Sequence, residues 1–109
     1  MTTLDEKLLN LLGLAKRAGK LAVGQDKVFE ACKAGSHLVI TACDVSANVL
    51  KSLKNAFEDG RARRLEIELD RTELGSRLGV QTAQIAALDI EDGFAKKILT
   101  LTKGSDANE

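Results

Sequence analysis

The chain has 109 residues, 44% hydrophobic and 29% charged, the size and balance of one packed domain rather than of a disordered chain. Lys+Arg and Asp+Glu are equal at 16 each, which excludes a global positive field for nucleic acid or membranes and leaves only local basic patches. No apolar run approaches the roughly 20 residues of a membrane span, and Met1-Thr2-Thr3-Leu4-Asp5-Glu6 lacks the basic and apolar blocks of a signal peptide, so a cytoplasmic location is expected.

Leu4, Leu8, Leu11, Leu12, Ala15 and Ala18 recur at helical spacing up to Gly19 and predict an amphipathic first helix. Leu21-Ala22-Val23 is long enough for a short strand before Gly24, and Val28, Ala31 and Cys32 set a second helical stripe that stops near Gly35. The nearly continuous apolar run Leu38 to Cys43 reads as a central strand buried on both faces. A third helix is expected from Ser46 to Asp59, closed by Gly60. Leu65, Ile67 and Leu69 alternate with Glu66 and Glu68, the pattern of a strand with one wet face near a sheet edge. Asp70 and Glu73 form a capping pattern for a helix that closes at Gly79; Ile85 to Ile90 is a further apolar strand, and Phe94, Ile98 and Leu101 mark a last helix.

Strands and helices alternate with no repeat, no low-complexity block and no proline. The expected class is α/β: a three-layer α/β/α sandwich on a mixed sheet of about four strands. One domain over 1–102 and a frayed polar tail over 103–109 are expected.

Few groups suit catalysis. One His, no Trp and no Tyr leave little for a nucleophile and base, so no enzyme activity, cofactor or metal is expected. His37 cannot complete a usual zinc set with Cys32 and Cys43; all three read as structural, and both thiols are expected reduced and mostly buried. Asp44, Asp70 and Asp89 fall between strands and helices, where acids can hold a divalent ion, but helix capping explains each without one.

The more informative segment is Lys16-Arg17-Ala18-Gly19-Lys20-Leu21-Ala22-Val23-Gly24-Gln25-Asp26-Lys27. Gly24 opens a helix whose first amides, at Gln25, Asp26 and Lys27, can attract a phosphate oxygen, with Lys16, Arg17, Lys20 and Lys27 adding charge. A glycine turn beside a solvated basic face accounts for the same spacing. Arg61, Arg63 and Arg64, with Arg71, form a second basic group that reads as a solvated turn unless it shares a side with Lys20 and Lys27. Phe29, Phe57 and Phe94 read as core, which argues against base stacking on aromatics.

The run Leu11 to Gly24, the strand Leu38 to Cys43 continuing into Asp44-Val45-Ser46, and Glu73-Leu74-Gly75 before a closing strand resemble the bacterial YlxQ-like proteins. Those belong to the superfamily of archaeal ribosomal protein L-seven-Ae and eukaryotic-type ribosomal proteins that bind kink-turn RNA. The resemblance covers Leu4 to Leu101. It implies binding of structured RNA, in a ribosomal or other ribonucleoprotein particle, through the Gly-opened helix and a loop before the last strand, here Val80, Gln81, Thr82 and Ala83. In the superfamily Gly, Asn, Glu and, one turn later, Lys contact the sheared G·A pairs and backbone. Gly24 keeps the first; Asp26 stands for Asn, Lys27 for Glu and Glu30 for Lys. Asp26 loses the amide donor, and Lys27 cannot accept a hydrogen bond from a guanine amine. A protein-interaction adaptor on the same scaffold is the alternative, suggested by the zero net charge and these departures.

Overall fold

The computed structural model describes residues 3–106, with side chains described for 6–101. The elements in chain order are α1 (Thr3–Arg17), β1 (Leu21–Val23), α2 (Gln25–Ala34), β2 (His37–Thr41), α3 (Ala47–Ser52), α4 (Lys54–Glu58), β3 (Ala62–Glu66), α5 (Arg71–Leu78), β4 (Ile85–Asp89) and α6 (Gly93–Asp106). The strands form one mixed sheet in the order β1-β4-β2-β3. β4 runs antiparallel to both β1 and β2, and β2 pairs in parallel with β3.

Side chains alternate across each strand, so every interior strand feeds two cores. Leu38 and Ile40 of β2, with Ala86 and Leu88 of β4, meet Leu8, Leu12 and Ala15 of α1, Leu74 and Leu78 of α5, and Ala95 and Ile98 of α6. Val39, Ala62, Ile85 and Ala87 point to the other face, against Val28 and Cys32 of α2 and Val49, Leu53 and Ala56 of α3 and α4. Three α/β/α layers result, as the sequence predicts. Each fully buried Leu or Ile contributes about 1.5–3 kcal/mol. Among the described residues, no helix is long and apolar enough to cross a membrane.

Several expectations are corrected. The helix from Ser46 to Asp59 breaks at Leu53, whose backbone leaves helical geometry at φ −107°, ψ 6°. Ser52 Oγ donates back to the carbonyl of Val49 at 2.7 Å, a local bond that competes with helix continuation, and the break turns Leu53 into the second core. The third strand is Ala62–Glu66 rather than Leu65 to Leu69, because β2 ends at Thr41, opposite Glu66. Ile67 and Leu69 are still buried, from a loop tied to the sheet end by Ile67 N–H to Thr41 O and Cys43 N–H to Leu69 O. β3 lies at the sheet edge, the position expected for the strand read at Leu65 to Leu69.

Phe29 is not core: it is 38% exposed, with Lys33 Nζ 4.6 Å from its ring centre. Cys43 is exposed, while Cys32 is buried; Cys43 lies beyond the last paired residue of β2 and leaves the packed layer. The tail expected from Lys103 is helical as far as Asp106, and positions 107–109 lie outside the described residues.

Capping of the three acids is met at one. Asp70 accepts from Glu73 N–H at 2.9 Å while Glu73 accepts from Asp70 N–H at 3.3 Å, a reciprocal capping box on α5. Asp44 instead accepts the first amide of that helix, Arg71 N–H, at 2.8 Å, and Asp89 accepts from Glu91 in a turn. Among the described residues no three His, Cys, Asp or Glu side chains gather as metal ligands.

Candidate nucleic-acid interface

β1 delivers Gly24 to one end of the sheet. Val23 opposes Ala86, and the next amide, Gly24 N–H, donates to Ile85 O at 3.0 Å. At φ 98°, ψ 159° Gly24 occupies a region open essentially to glycine alone, which lets the chain turn from strand into α2 within one residue. Val28 N–H closes the first helical bond on Gly24 O at 3.0 Å. No side chain caps this terminus, so the amides of Gln25, Asp26 and Lys27 are left to solvent or ligand, and all three residues are exposed. Gln25 Nε2 reaches Ser52 Oγ at 3.4 Å, linking the terminus to the end of α3.

The loop before β4 is anchored on two sides. Val80 N–H donates to Gly75 O and Ala83 N–H to Arg71 O, both at 2.9 Å. A Cβ on Gly75 would stand 2.7 Å from Thr82 Cα and 2.9 Å from Gln81 O, so the absence of a side chain there is what lets the loop lie against α5. On the other side, Gln84 O accepts Ala42 N–H at 2.9 Å and Gln84 Oε1 accepts Ser46 N–H at 2.7 Å. Because Gln84 precedes Ile85, the loop and the α2 terminus share this sheet end.

The two segments named by the resemblance therefore come together, with two exceptions. Ala83 is 3% exposed and belongs to the first core, so its methyl faces inward; Gln81 and Thr82 are exposed and Val80 is half-buried. Lys16, Arg17 and Lys20 lie at the opposite end of β1, where Leu21 opposes Leu88 and Lys20 N–H bonds Ala15 O. At ~3.3 Å per strand residue, that places the Lys20 backbone on the order of 13 Å from Gly24.

The arginines do not form one patch. Arg61 Nε pairs with Asp59 at 2.9 Å and its Nη1 donates to Cys32 O at 3.1 Å; Arg64 pairs with Glu66 at 2.8 Å and donates to Thr41 Oγ1 at 3.1 Å. Arg71 pairs with Asp44 at 3.1 Å and binds its carbonyl at 2.8 Å, which fixes the start of α5 under the loop. Hydrogen bonds from the Arg61 amide and guanidinium hold the Asp59 carboxyl below its usual range. Desolvation, then the charges of Asp44 and Asp70, push the Cys43 thiol up, and the acids Asp44, Asp70 and Glu73 gather with Arg71 at the start of α5. Lys27 carries the positive charge on the α2 side, and Glu30 is engaged by Lys33 at 3.4 Å.

Gln84 and the Asp44–Arg71 pair escaped the sequence reading, and Gly75 entered it only as part of a motif, without its role under the loop. Only Gly75 carried a signal, since a glycine inside a helix costs about 1 kcal/mol and often marks a close approach.

The chain matches no protein-family model. It is 32% identical over 92 residues to the RNA-binding protein YlxQ of Bacillus subtilis, covering 84% of this chain and 90% of that protein. It is 30% identical over 100 residues to the RNA-binding protein YlxQ of Enterococcus faecium, covering 91% and 94%. A Bacillus halodurans protein of unknown function superposes with a TM-score of 0.75 at 28% identity, covering 89% of this chain and 97% of that one. The Giardia lamblia 15.5kD RNA binding protein superposes at 0.74 and 20% identity, covering 98% and 91%, a likeness of fold. Identity spread over nearly the full length of both YlxQ relatives, together with the glycine turn at Gly24 that the motif called for, leaves one conclusion: the chain belongs to the YlxQ family.

Proposed function

We propose that the chain is a non-catalytic, cytoplasmic RNA-binding protein, with 1–102 as its RNA-binding domain, acting on structured RNA within a ribosomal or other ribonucleoprotein particle. The observation that supports the reading is the hydrogen bond from Gly24 N–H to Ile85 O, which sets an uncapped helix terminus at the same sheet end as the loop that carries the exposed Gln81 and Thr82. The YlxQ relatives named for RNA binding support it. Backbone amides with a fixed direction and Lys27 supply phosphate contacts, while the loop meets bases or sugars. RNA approaches from the α2 side, away from Asp44, Asp70 and Glu73. Lys16, Arg17 and Lys20 meet RNA only if the duplex also runs along β1.

A standard kink-turn is expected to bind weakly. Asp26 and Glu30 place carboxylates where the superfamily uses a neutral donor and a cation, and Lys33 offsets only Glu30. Kink-turn RNA titrated against the natural chain and against Asp26→Asn/Lys27→Glu/Glu30→Lys at matched salt tests this: the triple variant gains affinity although its net charge barely changes. Lys20→Ala/Lys27→Ala weakens binding of the cellular RNA, identified by crosslinking and sequencing, and lowers its salt slope by about one to two. A slope unchanged in that variant places the interface elsewhere.

A further inference from the structure

On the face of the sheet opposite α2, α1 and α6 leave an open groove of about 490 Å³. Leu11 and Leu101 line it as apolar contacts, Asn10 and Thr100 add two uncharged polar groups, and Lys7, Lys96 and Lys97 contribute the charge. No acid lines it among the described residues. Among the described residues none of the three lysines is in an ion pair. The chain as a whole is neutral, so an apolar trough with three lysines and no acid among its described lining residues is a local departure from that balance.

From this we infer that the α1–α6 groove docks an acidic amphipathic helix of a protein partner. A trough between two helices accepts a third when apolar side chains one turn apart drop between them. Carboxylates flanking those anchors meet Lys7, Lys96 and Lys97, giving orientation and a faster encounter. RNA is the poorer fit, because phosphates gain nothing from a leucine floor and no aromatic ring lines the groove for a base to stack on. The inference goes beyond the RNA reading and does not depend on it: the groove is in the other helical layer, and none of its residues belongs to the α2 terminus or the loop before β4.

The test uses the full chain, isotope-labelled, and a synthetic helical peptide of about 15 residues with leucines on one face and glutamates on its flanks. Amide resonances of Leu11, Lys97 and Leu101 shift and saturate with this peptide, and not with an analogue carrying lysine for glutamate. Lys7→Glu/Lys97→Glu lowers the affinity at least about tenfold, and Lys7→Gln/Lys97→Gln lowers it less. These exposed side chains can be exchanged without touching either core, and an unchanged thermal midpoint checks that. The inference is overturned if both peptides shift the same amides equally, if the double Glu variant binds as before, or if RNA rather than peptide shifts this groove. Protein concentration alone shifting these amides overturns it too, since the occupant is then a second copy. RNA titrated against the same Glu variant separates the two readings, because loss of peptide binding with RNA binding retained leaves the α2 site standing.

Discussion

At Gly75 two opposing effects meet, and their sizes differ. Alanine in a helix interior is normally better than glycine by about 1 kcal/mol, yet here the added methyl would press on backbone atoms of Gln81 and Thr82 at under 3.0 Å. Backbone cannot rotate aside, so overpacking wins: Gly75→Ala is expected to destabilise by about 1–3 kcal/mol in urea unfolding. It should also weaken RNA binding, because the 81–82 backbone is displaced. A gain in stability would show that the loop gives way freely. The two thiols separate by burial. In the native protein a thiol reagent is expected to label Cys43 readily and Cys32 only on unfolding. Because the Cys43 thiol is pushed up from its ordinary value, its labelling rate keeps rising with pH beyond the range in which an ordinary surface thiol levels off. Fast labelling of Cys32 in the folded state would contradict the packing of α2 on the sheet.

Among the elements, α5 is the one on which the loop rests, and its start is held twice, by the Asp70–Glu73 box and by Asp44 on the Arg71 amide. Asp70→Ala removes one of these and is expected to cost about 0.5–2 kcal/mol in chemical unfolding. A loss well below that range would mean that Asp44 alone suffices. The capping box was legible because its signal is local: two residues three apart. Helix starts, the interior strand β2 and the edge position of β3 were legible for the same reason, since periodicity records which face is buried. The limits of β3 were not, because they depend on where its partner β2 stops, which is a property of another segment. The break at Leu53 was hidden in an unbroken apolar stripe and is set by the packing of the second core. At the site, Gly24 and the loop were readable from the resemblance, but the burial of Ala83 and the distance of Lys20 came from the sheet, not from spacing in the chain.

For the molecule as a whole, the strand order places the first and last strands in contact, so Leu21 to Val23 find their partners in Ala86 to Leu88. That pairing is only three residues long and lies at the sheet's edge, whereas β2 and β4 are enclosed on both sides. Opening of β1 is therefore expected to require far less free energy than global unfolding. Amide hydrogen exchange should be fast at Leu21 to Gly24 and slow in β2 and β4, and bound RNA should slow it at Gly24 and through the first turn of α2. Uniform protection across the sheet would contradict this. The short β1–β4 ladder thus acts as a latch: when it is shut, the α2 amides and the loop are in register, and when it slips the binding surface comes apart while the enclosed pairing of β2 with β4 stays in place. Ligand affinity then carries a term for closing the latch, so a substitution that lengthens or stiffens this ladder should tighten RNA binding without adding a single contact to the RNA.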